Sequence, residues 1–297
     1  MDYVIFTDTS ANLPDKVVRE YGLRQIPFFY CPPEHPEGIP CPGSEEFDGS
    51  AYYNAIRRGA VVTTSQINVH QYVNAMDPVL EAGHDILFVG MSSGISGAYH
   101  SATQAAHILS EQYPERRIRT VDTLSASLGE GLLVIEAAKM RDAGVGLDAV
   151  ADRLNSLRMR MGQIFTVDDL FCLKRGGRLS GAAALLGTAL GIKPILCSNA
   201  QGQILSCAKV RGRRASIQAL ADRYDQLVEK PEQQCIGIAH CDCYPDVQTL
   251  ITLLNRNHPP REIMTVMYEP VTGAHVGPGA LALFFFGNPA SRELAKS

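Results

Sequence analysis

Several things are missing from this chain of 297 residues, and each absence removes a class of function. There is no basic excess: 31 acidic residues face 27 basic ones, for a formal charge of -4 and a pI near 6.1. Such a balance cannot grip a phosphate backbone or an anionic membrane, so nucleic acid is not an expected partner. There is no long apolar run. The longest, residues 182–192, is interrupted by Gly187, Thr188 and Gly191 and falls short of the ~18 residues of a membrane span. The start, Met1, Asp2, Tyr3, lacks the basic and apolar regions of a secretory signal, which points to a cytoplasmic location. Cysteine is sparse and scattered: eight residues at 31, 41, 172, 197, 207, 235, 241 and 243 do not make a disulfide scaffold and are expected to be reduced. No nucleotide fingerprint is present either. Gly277, Pro278, Gly279 lacks a flanking strand and helix, and residues 187–193 fail the phosphate-loop spacing.

What is present is apolar content of 45%, ample for buried cores, over a length that suits two domains. The pattern predicts strands over 3–7, 24–30, 85–91 and 118–122, alternating with helices over 14–21, 50–58, 98–112, 127–143 and 148–161. Asn68 is placed to cap another helix, broken or kinked at Pro78. Alternation of this kind, with the uninterrupted apolar run Asp85, Ile86, Leu87, Phe88, Val89, Gly90, Met91, predicts a parallel sheet with helical crossovers. Residues 31–46, rich in proline and glycine, read as a surface excursion. Beyond Gly162 the pattern changes to strands 163–167 and 192–197, a hairpin turn at 199–202, a further strand from Ile204, and strands 235–239, 263–268 and 280–286 with helices near 182–190, 215–229 and 245–257. The expected fold is α/β in two domains: a Rossmann-like parallel unit over 1–160 and an α+β unit with a mainly antiparallel sheet over 161–297, with short crossovers near 63–78.

Hydroxyl groups cluster where strands of the first domain end: Asp8, Thr9, Ser10 after the first; Thr63, Thr64, Ser65 after a short Val61, Val62 run; Ser92, Ser93, Ser96 after 85–91; Asp122, Thr123, Ser125 after 118–122. Open parallel sheets bind ligands at these ends, so the clusters suggest a small anionic group held by hydroxyls, although each also reads as ordinary helix capping. Gly90, Met91, Ser92, Ser93, Gly94 matches the nucleophile elbow G-x-S-x-G, with His275 downstream in hydrolase order. Against a hydrolase, Ile95, Ser96 and Gly97 prolong the loop where a helix should begin. Lys174, Arg175, Gly176, Gly177, Arg178 place three cations around a glycine turn, either an anion contact or a helix end with solvated charge. Lys209, Arg211, Arg213 and Arg214 form a second basic run that reads as a solvated face. Residues 273–279 read as a glycine loop with His275 its only ionisable group, a setting that allows close approach to a ligand. His240, Cys241, Asp242, Cys243 looks metal-like, but the one-residue cysteine spacing without a second pair is a poor zinc signal.

Taken together, Thr7 to Ser10, Thr64 to Gln66, Ser92 to Tyr99, Asp122 to Ser125, Leu173 to Ser180 and Gly273 to Phe285 resemble the DegV family of bacterial lipid-binding proteins. That family includes the fatty-acid-binding subunits of the fatty acid kinase system. The resemblance implies a non-enzymatic protein with no cofactor that holds one long-chain fatty acid in an apolar tunnel. A separate ATP-using kinase catalytic subunit would phosphorylate the carboxyl group, and the protein would then carry the acyl phosphate, with transient membrane contact allowed. Carried over by position, Thr64, Ser93 and His275 are the carboxylate-binding residues, with Thr63, Ser92 and Ser96 nearby. Arg178 matches the second arginine of an Arg-Gly-Gly-Arg turn, and Arg211 or Arg213 a basic position for kinase docking or phosphate handling. Ile67 and Ala98 depart from the family pattern, and the 31–46 excursion replaces a shorter hairpin. Two other readings stay open: a serine hydrolase or esterase using Ser92 and His275, or a regulatory module for another small carboxylate. For the tunnel lining the apolar candidates are Phe28, Phe29, Tyr52, Ile56, residues 182–190 and 281–286.

Overall fold

The computed structural model describes residues 3–168, 170–179 and 191–293. Among them the strands, in chain order, are β1 (Tyr3–Asp8), β2 (Arg24–Ile26), β3 (Phe29–Cys31), β4 (Ile39–Pro40), β5 (Thr63–Ser65), β6 (Asp85–Gly90), β7 (Ile118–Asp122), β8 (Met161–Thr166), β9 (Ile192–Ser198), β10 (Ile204–Arg211), β11 (Cys235–His240), β12 (Glu262–Met267) and β13 (Leu281–Phe286). The helices are α1 (Asp15–Glu20), α2 (Gly49–Arg57), α3 (Val69–Glu81), α4 (Ala98–Gln112), α5 (Leu128–Asp142), α6 (Leu147–Leu157), α7 (Phe171–Gly176), α8 (Arg213–Leu227), α9 (Tyr244–Asn257) and α10 (Pro270–Val276).

Strands β2, β1, β6 and β7 lie side by side in one parallel sheet, as the strand and helix alternation requires. The later strands form a six-stranded sheet in the order β10, β9, β8, β13, β11, β12, antiparallel except for the β11 and β12 pair. The chain is thus an α/β protein with a parallel sheet and a separate mixed sheet. The expected strand over 24–30 is two strands in different sheets. Pro27 has no N–H to offer a ladder, so β2 ends before it, and β3 pairs antiparallel with β4 and β5 in a small third sheet. The excursion over 31–46 supplies β4. Helix α3 has a capping box of Asn68 and Gln71 and runs through Pro78 to Glu81 instead of breaking there. Asp48 caps α2, accepting the Ala51 amide. The helix expected over 182–190 lies outside the described residues.

Helix α5 is covered on nearly every side: ten of its fifteen residues are buried, between the parallel sheet and the core face of the mixed sheet. Close approach requires glycine there. A Cβ on Gly237 of β11 would lie 2.7 Å from Leu128, and one on Gly129 would lie 3.0 Å from Phe284. The start of α5 is tied to the end of β1 by a buried polar knot. Ser10 Oγ lies 2.5 Å from Asp8 Oδ1 and 2.6 Å from Glu130 Oε2, and Thr7 donates to Glu130 at 3.0 Å. One hydroxyl proton cannot serve both carboxylates, so one of the pair carries a proton. Burial pushes Asp8 up to about 6, and burial with the Asp8 charge pushes Glu130 well above the usual carboxylate range.

The mixed sheet reaches back to the parallel one through its hairpin tip. The Ser92 hydroxyl donates to Gly202 O at 2.9 Å, and a Cβ on Gly94 would lie 2.4 Å from Gln201 O. Arg292 adds a second tie, donating to Leu124 O and Ser125 Oγ at 2.7 Å each.

Candidate functional site

His275 sits in the last turn of a helix, not in a loop. Pro270 opens α10, where its missing N–H costs nothing, and the Glu269 carboxylate accepts the Val271 and Thr272 amides. Gly277, at φ 79°, ends the helix and lies against α7, where a Cβ would meet Cys172 Sγ at 2.8 Å. Tyr52 and Tyr53 of α2 anchor the helix start by donating to Pro270 O (2.6 Å) and Tyr268 O (2.7 Å). Burial pushes Glu269 up to about 7.

Opposite α10 stands β5, whose central residue Thr64 places Oγ1 2.8 Å from His275 Nε2. Burial, with Arg178 and Arg175 nearby, lowers the imidazole to about 4, so it is neutral at ordinary pH. The ring packs on Gly176 so closely that a Cβ there would lie 2.2 Å from Nδ1. Arg178 is half-buried, donates to Ile95 O at 3.2 Å and to Gly176 O, and is lowered by burial.

Thr64 and His275 line a narrow cavity in which about 50 Å³ is open to the centre of a water-sized sphere. Its polar wall comprises Thr64, Ser65, Gln66, Ser96, Arg178 and His275, with Gln163 and Thr272 also contributing. Its apolar wall draws on two hydrophobic clusters: Phe28, Met91, Ala126 and Val271 belong to the core under α3 and α4, and Phe165, Leu173, Ile204, Tyr268 and Val276 to the core around α5. The cavity lies where these cores meet. Of the lining expected from sequence, Phe28 is present. Tyr52, Ile56 and the β13 residues are packed in the cores instead.

The other sequence-derived residues separate into distinct settings. Ser96 faces the cavity and accepts the Ala98 amide at 3.2 Å, which leaves its own O–H available. Ser93 lies outside the cavity lining; its hydroxyl donates to Asp122 Oδ2 at 2.6 Å, so its one donor is already used. Ser92 is fully buried and spends its proton on Gly202 O, with no imidazole as partner, which removes the geometry a nucleophile needs. Thr63 is exposed and points away from Thr64. Other strand-end hydroxyls are consumed in the same internal way: Ser10 is held by Asp8 and Glu130, and Thr123 donates to Gly90 O. Arg213 is fixed by Asp246 (2.9 Å) and Gly279 O (2.6 Å), behind the turn that follows α10, whereas Arg211 is exposed at the end of β10. His240 accepts the Cys243 amide at 3.3 Å and Asp242 pairs with Arg57; no three metal-binding side chains converge among the described residues. No helix among them is long and apolar enough to cross a membrane.

Sequence reasoning missed Gln66, Gln163 and Thr272 as cavity residues. Gln163 had a signal: it interrupts the apolar alternation Met161, Phe165, Val167 on the core face of β8.

Residues 2–288 match the DegV family, described as uncharacterised proteins. A DegV domain-containing protein of Clostridium perfringens is 37% identical over 286 residues, covering 96% of this chain and 98% of the relative. One from Streptococcus pyogenes is 31% identical over 288 residues, covering 97% and 99%. Among solved structures, a DegV family protein from Thermus thermophilus described for its fatty acid binding has a TM-score of 0.87 at 27% identity, over 97% of this chain and all of the other. A DegV lipid-binding protein from Thermotoga maritima has a TM-score of 0.83 at 26% identity, over 97% and 99%.

Proposed function

The chain belongs to the DegV family, and from that premise we propose that it holds one long-chain fatty acid in the cavity, with the carboxylate at Thr64 and His275. The observation that carries this reading is the Thr64 and His275 pair at an otherwise largely apolar cavity. With Nε2 protonated, the imidazole donates to Oγ1, and the threonine keeps its own O–H for a ligand oxygen. Ser96 offers a second hydroxyl and half-buried Arg178 a nearby positive charge. A carboxylate cannot leave water unpaired without a penalty of several kcal/mol, and these groups offset it. Each methylene buried contributes about 0.8 kcal/mol, so a chain of some fourteen yields roughly 11 kcal/mol before association costs of at least about 4.

The same reading makes the protein a non-catalytic carrier. It presents the carboxylate to a separate ATP-using kinase subunit and then holds the acyl phosphate. The support for this finer step is the family resemblance together with Arg175 and Arg178 beside the site. A hydrolase reading has nothing comparable, because the Ser92 hydroxyl is buried and committed to a backbone carbonyl.

The test is solvent extraction of the purified protein followed by mass spectrometry, with titration of added fatty acids. A co-purifying or tightly bound long-chain acid is expected. Absence of both sinks the proposal. For the kinase step, the loaded protein mixed with ATP and a fatty acid kinase catalytic subunit should yield a hydroxylamine-sensitive acyl product.

A further inference from the structure

The cavity wall carries polar groups in a part that a plain alkyl chain would leave unpaired. Gln163 points from β8 to the same face as Met161 and Phe165, both members of the apolar core around α5. Only 5% of it is exposed, and it lines the cavity. Its Oε1 accepts the Ala126 amide at 3.2 Å, which fixes which way the carboxamide faces. Among the described residues nothing accepts from its Nε2, so two N–H donors remain. Thr272, also on the wall and 9% exposed, has its hydroxyl closed off from the cavity beside the Glu269 carboxylate, which leaves Gln163 as the donor a ligand can reach.

A saturated chain filling this space keeps water from the Gln163 carboxamide and gives nothing back. Leaving a buried donor unpaired is costly, and a site built with such a group discriminates against ligands that cannot meet it. We propose that the preferred ligand is a long-chain acid bearing a hydroxyl on its chain, and that Gln163 is the residue that sets this preference. The inference rests on the fatty-acid reading above and narrows its substrate class.

The experiment compares octadecanoic acid with its 3-, 10- and 12-hydroxy derivatives by competitive displacement, on the parent chain and on Gln163→Leu and Thr272→Val. The parent should bind at least one hydroxy acid about tenfold more tightly than the plain acid, and the preferred position reports the depth of the polar group. Gln163→Leu should bind the plain acid more tightly than the parent does and lose most of the discrimination. Should Gln163→Leu misfold, Gln163→Met carries the same test, and Thr272→Val, whose hydroxyl is closed off from the cavity, should leave the discrimination unchanged. Equal binding of plain and hydroxy acids by the parent, or discrimination unchanged in every variant, overturns this inference while leaving the carrier reading intact. Binding of neither acid overturns both.

Discussion

Replacing Thr64 by valine removes one hydroxyl and keeps the branched shape, which isolates the bond that the carboxylate reading depends on. The hydroxyl is 2.8 Å from His275 Nε2 and only partly buried, so its loss leaves no cavity and little to destabilise β5. A hydrogen bond to a charged group contributes about 1.5–3 kcal/mol, so Kd for a long-chain acid should rise roughly 10- to 150-fold. The measurement is isothermal titration or displacement of a fluorescent fatty acid, with a melting curve to confirm that the variant is folded. Two controls sharpen it. A fatty alcohol of equal length, which brings no negative charge, should show a much smaller difference between parent and variant. And because burial and two arginines hold His275 near 4, the ratio of the two Kd values should stay flat between pH 6 and 8. A folded Thr64→Val chain binding the acid within twofold of the parent would refute the assignment of the carboxylate to this pair.

Three further outcomes follow from the same geometry. Gly176→Ala places a Cβ 2.2 Å from His275 Nδ1 and should push the imidazole off Thr64, raising Kd for the acid at least tenfold with little change in melting temperature; an unchanged Kd would show that the ring position is irrelevant. Glu269, raised from 4.5 to about 7, favours folding when protonated, so its contribution is full below about pH 4.5 and is lost as pH rises through about 7. Glu269→Gln should therefore gain stability relative to the parent over that window, by at most roughly 3 kcal/mol, readable by chemical denaturation at pH 4.5 and 8; a constant difference between the two chains contradicts it. A fluorophosphonate probe should leave Ser92 unlabelled, since its proton is spent on Gly202 O in a buried setting, and labelling abolished by Ser92→Ala would revive the hydrolase alternative.

Legibility in the sequence followed the range of the forces involved. Strands β6 and β7 and helix α4 are set by local apolar periodicity, and their observed bounds fall within a residue of expectation. The split at Pro27 was also local, a missing N–H, and was overlooked because the flanking apolar residues read as continuous. His275 was assigned to a loop because Gly273 and Gly277 bracket it. The Glu269 and Pro270 start signal for a helix stood just upstream, and Tyr52 and Tyr53, more than two hundred residues away, complete the support. Ser93 is the harder case. Whether a hydroxyl is available to a ligand depends on where its proton already goes, and for Ser93 that is Asp122, on a different strand end. No motif encodes this, because Thr64, Ser93 and Ser96 are alike in type and differ only in their partners.

That accounting also explains why four hydroxyl clusters yield one small site. The parallel sheet ends in tight turns whose backbone groups need partners, and Asp8, Thr9, Ser92, Asp122 and Thr123 supply them. Once those bonds are made, few donors remain, and Thr64 and Ser96 are among them because they stand at the seam where the two apolar cores meet without closing. An ionised imidazole at this seam would be costly, and His275 avoids the cost by staying neutral. The arrangement separates two demands: charge is confined to Arg178 at the edge, and the interior is left to dispersion and area burial, where on the proposed reading the length of an acyl chain would give the affinity. Gln163 is the exception to that division, which is why it, and not the carboxylate pair, should decide which chain is preferred.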